Sequence, residues 1–196
     1  MQMRRLFAGV EVRASEDLRR ALDGLREELR GERIRWTRLE NLHLTVEFFG
    51  ATPAEKIPAL EKALASAAGK SEAFALNLGG LGLFGGARHP RVLWMGTPSE
   101  GLRILHDRVE EALRESGWTP EEREFAPHLT LGRIERLKDA EAFESAVETR
   151  REWSVPDQPV RELILYESVS GRYVPLGKWP LGRASGESPS GRFQVL

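Results

Sequence analysis

The sequence predicts an α+β fold built from two similar halves, with a cleft between paired sheets. Strand-like and helix-like patterns alternate along the 196 residues, and the second half repeats the order of the first. A His-Leu-Thr tripeptide also occurs once in each half, beginning at His43 and at His128, 85 residues apart. These observations favour a pseudo-duplicated, two-lobed architecture in which each half supplies one motif-bearing strand.

The first half contains four predicted strands and two predicted helices. Ser15 is suited to cap the first helix, whose leucines recur every three or four residues, and Gly31 ends it. Thr52 and Pro53 begin a capping-box pattern, which predicts a second helix ending at Gly69. The predicted strands cover residues 6–12, 34–39, 42–49 and 74–78.

The second half follows the same order and ends in a hairpin. A second Thr-Pro pair, Thr97 and Pro98, predicts another capping box and a helix that ends at Gly117. A short helix is expected near residues 139–149. The predicted strands cover residues 91–96, 125–134, 162–169 and 172–176, the last two forming a hairpin around Gly171.

Two segments have the composition of irregular structure. Five glycines between Gly79 and Pro90 predict a loop, and residues 182–196 are rich in glycine, serine and proline. We therefore expect a single bilobal domain over residues 1–181, followed by a flexible carboxy-terminal tail over residues 182–196.

The composition is that of a soluble globular protein. Hydrophobic residues make up 40% and charged residues 30% of the chain, and no apolar run approaches the ~20 residues of a membrane span. The chain has no cysteine, which excludes disulfides, thiolate metal sites and a cysteine nucleophile. These features favour a cytoplasmic protein without a membrane partner. A net charge of −1 argues against a basic nucleic-acid coat; if the protein meets RNA, we expect it to contact a short stretch or an end rather than a long backbone.

The repeated motif has the residue types of an acid–base site. Alternate side chains of a strand share a face, so His43 lies beside Thr45, and His128 beside Thr130. Imidazoles titrate near neutral pH when unperturbed, and one neutral and one protonated ring are what general acid–base catalysis requires. Threonine hydroxyls can donate hydrogen bonds to non-bridging phosphate oxygens. The pattern therefore suits metal-free chemistry at phosphorus.

Two other interpretations of the motif are a pair of structural histidines and a zinc site held by both rings. The duplication argues against the first. Against the second, no Asp, Glu, His or Cys sits at ligand spacing beside both motifs; Glu47 shares the His43 face, but Gly132 stands at the equivalent place. We therefore expect no metal and no cofactor.

Three further residues have side chains that could serve such a site. Arg133 lies five residues after His128, so strict alternation turns it to the opposite face, and a bulge or twist is needed to bring it to a phosphate. His89 is expected to be a solvated loop residue. His106 is expected to be structural, on a helical face.

Longer segments around both motifs resemble the two-histidine (2H) phosphoesterase superfamily. Within it, the chain is most similar to the RNA 2′,3′-cyclic phosphodiesterases, also called 2′-5′ RNA ligases. The similarity extends over residues 4–181, and the segments that carry it are 5–10, 41–50, 90–94, 125–133 and 163–173.

The resemblance implies a bilobal fold with two antiparallel sheets lining a central cleft and helices outside. It implies hydrolysis of a 2′,3′-cyclic phosphate at an RNA end or on a nucleotide, giving a 2′-phosphomonoester without a metal. By position, His43 is then the proton donor and His128 the proton acceptor. Thr45, Thr130 and Arg133 are then the residues that bind the phosphate.

Two other activities are compatible with the same residues. The reaction run in reverse joins a cyclic phosphate end to a 5′-hydroxyl, giving a 2′-5′ linkage. An RNA-end or nucleotide binding module with little turnover is the alternative to an enzyme, although intact histidines and threonines in both motifs argue against it. The protein is expected to act as a monomer.

Overall fold

The computed structural model describes residues 2–86, 89–119 and 124–182, which form nine strands and four α-helices. The helices are α1 (Glu16–Glu28), α2 (Ile57–Gly69), α3 (Glu100–Glu115) and α4 (Ala140–Glu148). The strands are β1 (Met3–Glu11), β2 (Arg33–Trp36), β3 (His43–Pro53), β4 (Phe74–Gly86), β5 (His89–Gly96), β6 (His128–Arg136), β7 (Ser154–Val160), β8 (Glu162–Val169) and β9 (Arg172–Pro180). Residues 183–196, nearly all of the predicted tail, lie outside the described residues.

All pairings between the named strands are antiparallel, and the strand order is β7-β4-β5-β6-β3-β1-β8-β9, with β2 added on β6. The sheet divides into two runs of four strands, one ending at β6 and the other at β3. One residue pair, Leu44 with Leu129, joins the two runs. The predicted α+β fold is confirmed, and the two predicted sheets meet at the strands that carry the motifs.

The helix caps follow local side chains, with two departures from prediction. Ser15 caps α1 as expected, accepting a hydrogen bond from the Leu18 amide. The capping boxes predicted at Thr52 and Thr97 are wrong. Strand β3 continues through Thr52, whose hydroxyl donates to the Phe49 carbonyl. Helix α3 is capped by Ser99 instead of Thr97, because Ser99 directly precedes its first residue.

The loop predicted between Gly79 and Pro90 is also wrong, because most of this segment belongs to a hairpin of β4 and β5. One of these glycines makes room for an aromatic ring: a Cβ at Gly82 would lie 2.2 Å from the Trp94 indole. Residues 87–88 lie outside the described residues. The hairpin therefore depends on a cross-strand contact that local composition does not reveal.

Strand β7 is not among the predicted strands, because Pro156 and Pro159 disfavour a strand in that segment. It lies at one edge of the sheet, where a missing backbone donor is tolerated. The predicted helix near residues 139–149 and the closing hairpin around Gly171 are confirmed, with the hairpin extending to Pro180.

The core lies between the helices and one face of the sheet. On α1, the leucine stripe of Leu18, Leu22 and Leu25 is fully buried, as its spacing predicts. Leu44 of β3 and Leu129 of β6 belong to the same buried cluster. The motif strands are therefore fixed from behind by the core. Among the described residues, no helix has the length and apolar character needed to cross a bilayer.

Candidate active site

The two motifs meet at the centre of the sheet. Leu44 of β3 is opposite Leu129 of β6. In an antiparallel pair this register directs His43 toward Thr130 and Thr45 toward His128. A pocket of about 220 Å³ is lined by Thr45 and His128 from the two strands. The structure thus brings the four predicted motif residues to one place.

Buried and exposed side chains alternate within each motif, as predicted. Leu44 and Leu129 are completely buried, whereas the histidine and threonine on either side of each leucine are partly exposed. Each motif therefore anchors itself in the core through its apolar residues and offers an imidazole and a hydroxyl on the other face.

A β-bulge follows each motif and changes which residues are exposed. In β3, Ala8 is opposite Glu47 but Gly9 is opposite Thr45, so Val46 is the extra residue. Phe48, two residues after Val46, is 48% exposed, although without the bulge its side chain would lie on the core side with that of Leu44.

The bulge in β6 is equivalent. Leu93 is opposite Gly132 and Trp94 is opposite Thr130, so Leu131 is the extra residue. Leu131 and Gly132 are both buried, and Arg133 is exposed. The bulge that alternation required for Arg133 is therefore present, and it puts this residue on the exposed side of the strand with the motif.

The hydrogen bonds of the two imidazoles are matched. His43 Nδ1 lies 2.7 Å from the Asn41 carbonyl oxygen, and His128 Nδ1 lies 2.8 Å from the Ala126 carbonyl oxygen. A carbonyl oxygen only accepts, so each Nδ1 carries the hydrogen and donates it. The Nε2 of each ring is then left for proton transfer. The residue pattern alone does not indicate this hydrogen bond, although each acceptor stands two residues before its histidine.

His43 lies in a collar of aromatic rings, which consists of Phe7, Tyr166 and Tyr173. Their ring centroids lie 4.8, 6.1 and 4.8 Å from that of His43. This burial lowers the pKa of His43 below its ordinary value, because it removes water from the charged form. The hydrogen bond to Asn41 opposes the effect, and the charge of His128 adds to it.

His128 has different neighbours. Phe84 meets its ring edge-on at a centroid distance of 4.7 Å, and Trp94 lies 6.4 Å away. Phe84 comes from the hairpin that was predicted to be a loop, and its ring is 36% exposed. The two histidines are thus supported by aromatic groups from different ends of the sheet.

The other two histidines have separate positions. His89 is exposed at the start of β5, in a strand and not in the predicted loop. His106 on α3 is buried, as expected of a structural histidine, and stacks on Phe125 with ring centroids 4.0 Å apart. His106 also lines the pocket that contains Thr45 and His128, which the sequence did not indicate.

Comparison with known proteins places the chain in a family. The model of the 2′-5′ RNA ligase superfamily matches residues 14–172. The chain is similar to proteins named RNA 2′,3′-cyclic phosphodiesterase. The relative from Geobacillus stearothermophilus is 34% identical over 169 residues, covering 82% of this chain and 52% of the relative. The relative from Escherichia coli is 35% identical over 150 residues, covering 72% of this chain and 77% of the relative.

The chain thus spans about half the length of the Geobacillus relative, but 91% of the length of the relative from Archaeoglobus fulgidus, which is 31% identical over 84% of this chain. Among solved structures, it is similar to E. coli LigT in complex with 3′-AMP, with a TM-score of 0.68 and 29% identity over 92% of this chain and 99% of that one. The shared fold, the two motifs and the family match agree, and the chain belongs to the 2′-5′ RNA ligase superfamily.

Proposed function

We propose that this protein is an RNA 2′,3′-cyclic phosphodiesterase that hydrolyses a cyclic phosphate end to a 2′-phosphomonoester. Relatives carrying that name over most of this chain support the proposal. The main observation behind it is the matched pair of imidazoles at the junction of β3 and β6. Each ring donates a hydrogen bond from Nδ1 to a backbone carbonyl, and each lies beside a threonine.

In the proposed mechanism, His128 Nε2 removes a proton from a water molecule as the water oxygen attacks phosphorus. The bond between phosphorus and the 3′ oxygen breaks, and His43 Nε2 gives its proton to that oxygen. The products are a 2′-phosphate and a 3′-hydroxyl. The ring that began protonated ends neutral and the other ends protonated, so proton exchange with water restores the starting state.

The phosphate is held by groups from both strands. Thr45 and Thr130 donate hydrogen bonds to its non-bridging oxygens, where negative charge increases in the transition state. Arg133 supplies a guanidinium, which suits a phosphate because its donors form a planar fork. The bulge at Leu131 supports this role for Arg133, since it gives the side chain the same exposed side as Thr130.

The assignment of His43 as the acid is consistent with its burial. A ring whose pKa is lowered gives up its proton more readily once it holds one. The same burial reduces the fraction protonated in the empty site, and the negative charge of a bound phosphate favours the protonated form. We therefore propose that substrate binding itself promotes protonation of His43.

The reverse reaction follows from the same groups. A 5′-hydroxyl in place of water gives a 2′-5′ linkage between two RNA ends. Because water is present at far higher concentration than any RNA end, we propose that hydrolysis dominates. We also propose that residues 1–181 work as one domain, because both halves contribute a strand to the site. The monomeric state and the cytoplasmic location stay predictions.

The test uses adenosine 2′,3′-cyclic monophosphate with the full chain in excess chelator, and the two product isomers are separated by chromatography. The expected product is the 2′-monophosphate, at a rate unaffected by chelator. Release of the 3′-monophosphate, or loss of turnover in chelator, contradicts the mechanism. A protein that binds a 2′-phosphorylated RNA end tightly without turnover supports the binding-module alternative.

A further inference from the structure

We propose that Glu47, His106 and Glu110 form a binding site for a divalent transition-metal ion such as Zn²⁺. Glu47 belongs to β3, and the other two belong to α3. Each offers one ligand atom, and these atoms all lie within 4.8 Å of one another. The proposed site contains neither of the two catalytic imidazoles, although it borders the same pocket as His128, and it does not depend on the proposed function.

The helix presents two of the ligands in a suitable geometry. His106 and Glu110 are four residues apart, so their side chains lie on the same face of α3. His106 Nε2 lies 3.9 Å from Glu110 Oε1. Bonds of about 2.0–2.1 Å in a tetrahedral site bring two ligand atoms to roughly 3.3 Å. His106 and Glu110 therefore need to approach by about 0.6 Å, and the ligand-atom pairs that include Glu47, which lie within 4.8 Å, by at most about 1.5 Å.

The orientation of His106 is fixed by its other contacts. Its Nδ1 lies 3.4 Å from Asp107 Oδ1, and its ring is stacked on Phe125 at an interplanar angle of 11°. A metal-bound histidine in proteins usually donates its second ring nitrogen to a carboxylate or carbonyl group, which sets the tautomer and the ring orientation. Asp107 supplies that carboxylate and leaves Nε2 directed at Glu110.

The charges of the cluster also favour a cation. The residues Glu47 and His106 are only 7% and 8% exposed, and the side chain of Glu110 is 19% exposed. Carboxylates removed from water are costly unless positive charge or donors compensate them. Arg114 binds Oε2 of Glu110, while Oε1 faces His106; the Phe48 amide donates to Oε1 of Glu47. A divalent ion would add positive charge beside these two largely buried carboxylates.

The chemistry of the donors points to zinc-like ions. One imidazole nitrogen and two carboxylate oxygens suit Zn²⁺ and its neighbours better than Mg²⁺, which keeps water and all-oxygen ligands. Glu47 and His106 line the same pocket as Thr45 and His128, so a bound ion has a coordination position that solvent or an anion can reach.

The test is calorimetric titration of the full chain, freed of metal by chelation, with Zn²⁺. We expect one ion per chain at this site and at least tenfold weaker binding in Glu110→Gln. The matched control is Glu111→Gln, which removes the same charge from an exposed residue of the same helix and leaves binding unchanged. The double variant His43→Ala, His128→Ala retains the site.

A thermal measurement covers the case in which a variant is unstable. Zn²⁺ is expected to raise the Tm of the parent chain and of Glu111→Gln, but not that of Glu110→Gln or His106→Gln, each compared with its own metal-free form. The proposal is wrong if no ion binds, if Glu110→Gln binds as the parent does, or if binding disappears in the double variant. Hydrolysis in chelator is measured separately, so failure here is distinguishable from failure of the proposed function.

Discussion

The motif strands β3 and β6 are alike in backbone and different in surroundings. Each presents a histidine whose Nδ1 donates to the carbonyl two residues earlier, and each has a bulge after its threonine. Five residues after the histidine, however, β3 has Phe48 and β6 has Arg133. The duplicated backbone thus delivers two equivalent nitrogens, and the residues around them differentiate the two sides of the site.

The partner strands differ as well. Gly9 of β1 is opposite Thr45, whereas Trp94 of β5 is opposite Thr130. His43 is enclosed by the aromatic collar defined above, whereas His128 borders the pocket and the exposed ring of Phe84. A partly exposed imidazole packed among aromatic rings and one beside an open pocket suit different proton-transfer roles. Five predictions test this asymmetry.

Replacing either catalytic histidine is expected to have the largest effect. His43→Ala and His128→Ala each lower kcat/KM on a 2′,3′-cyclic nucleotide by about 10²–10⁴-fold, which is the usual contribution of a general acid or base. A substrate with sulfur at the 3′ bridging position separates the roles, because a thiolate leaves without being protonated. We expect it to restore turnover to His43→Ala and not to His128→Ala. Rescue of His128→Ala alone reverses the assignment.

Replacing the threonines is expected to have a smaller effect that falls on kcat. Thr45→Val and Thr130→Val keep the shape and remove one donor each, with an expected loss of about 10²-fold. Thr45→Ser and Thr130→Ser are the controls, since they keep the hydroxyl and should retain most activity. Equal activity of the valine and serine variants shows that the hydroxyls do not stabilise the transition state.

A stability measurement addresses the partner strand of His43. A Cβ at Gly9 would lie 2.6 Å from the Leu44 carbonyl oxygen and 3.6 Å from the His43 ring. Gly9→Ala is therefore expected to lower the free energy of unfolding by about 1–3 kcal/mol. Gly24→Ala in α1, where no atom lies within 4 Å of the new Cβ, should instead stabilise by about 0.5–1 kcal/mol. Denaturant titration measures both free energies of unfolding. A Gly9→Ala variant as stable as the parent chain contradicts the close packing of β1 on β3.

The smallest effect concerns the protonation of His43. Tyr173→Ala opens the collar to water and is expected to raise the pKa of His43 toward its ordinary value, measured by NMR titration of the ring. Phe84→Ala beside His128 is the matched control and should leave the pKa of His43 unchanged. If the pKa of His43 is the same in Tyr173→Ala as in the parent chain, the collar is not the cause of the lowered pKa.

The lowered pKa has a consequence for stability. The unfolded chain binds a proton at His43 more readily than the folded chain does. Above the pKa of His43 in the unfolded chain, about 6.5, the ring is neutral in both states and does not reduce the free energy of unfolding. As the pH decreases from there through the lower pKa of His43 in the folded chain, the free energy of unfolding falls. This loss should be smaller in Tyr173→Ala than in the parent chain.

Much of the fold was determined by local sequence. Ser15 and the leucine stripe of α1 predicted a cap and a buried face, because helical periodicity and caps depend on residues within a few positions. The shared face of His43 and Thr45 was predicted for the same reason. Strand β7 and the β4–β5 hairpin were not predicted, because β7 contains proline and the hairpin contains many glycines. Proline is tolerated in β7 because this strand lies at the edge of the sheet, and glycine is favoured in the hairpin by cross-strand packing.

The sequence by itself determined the two motifs, the residues that anchor them and the order of the helices and strands other than β7. Only the tertiary structure decided where the alternation of buried and exposed side chains is interrupted in each motif strand. That interruption leaves Arg133 and Phe48 exposed. It is a bulge, and a bulge is defined by the pairing of a strand with its neighbour. It also brought Glu47 to His106, from segments 59 residues apart. Contacts of that kind depend on how strands and helices pack, which a local pattern of residues does not encode.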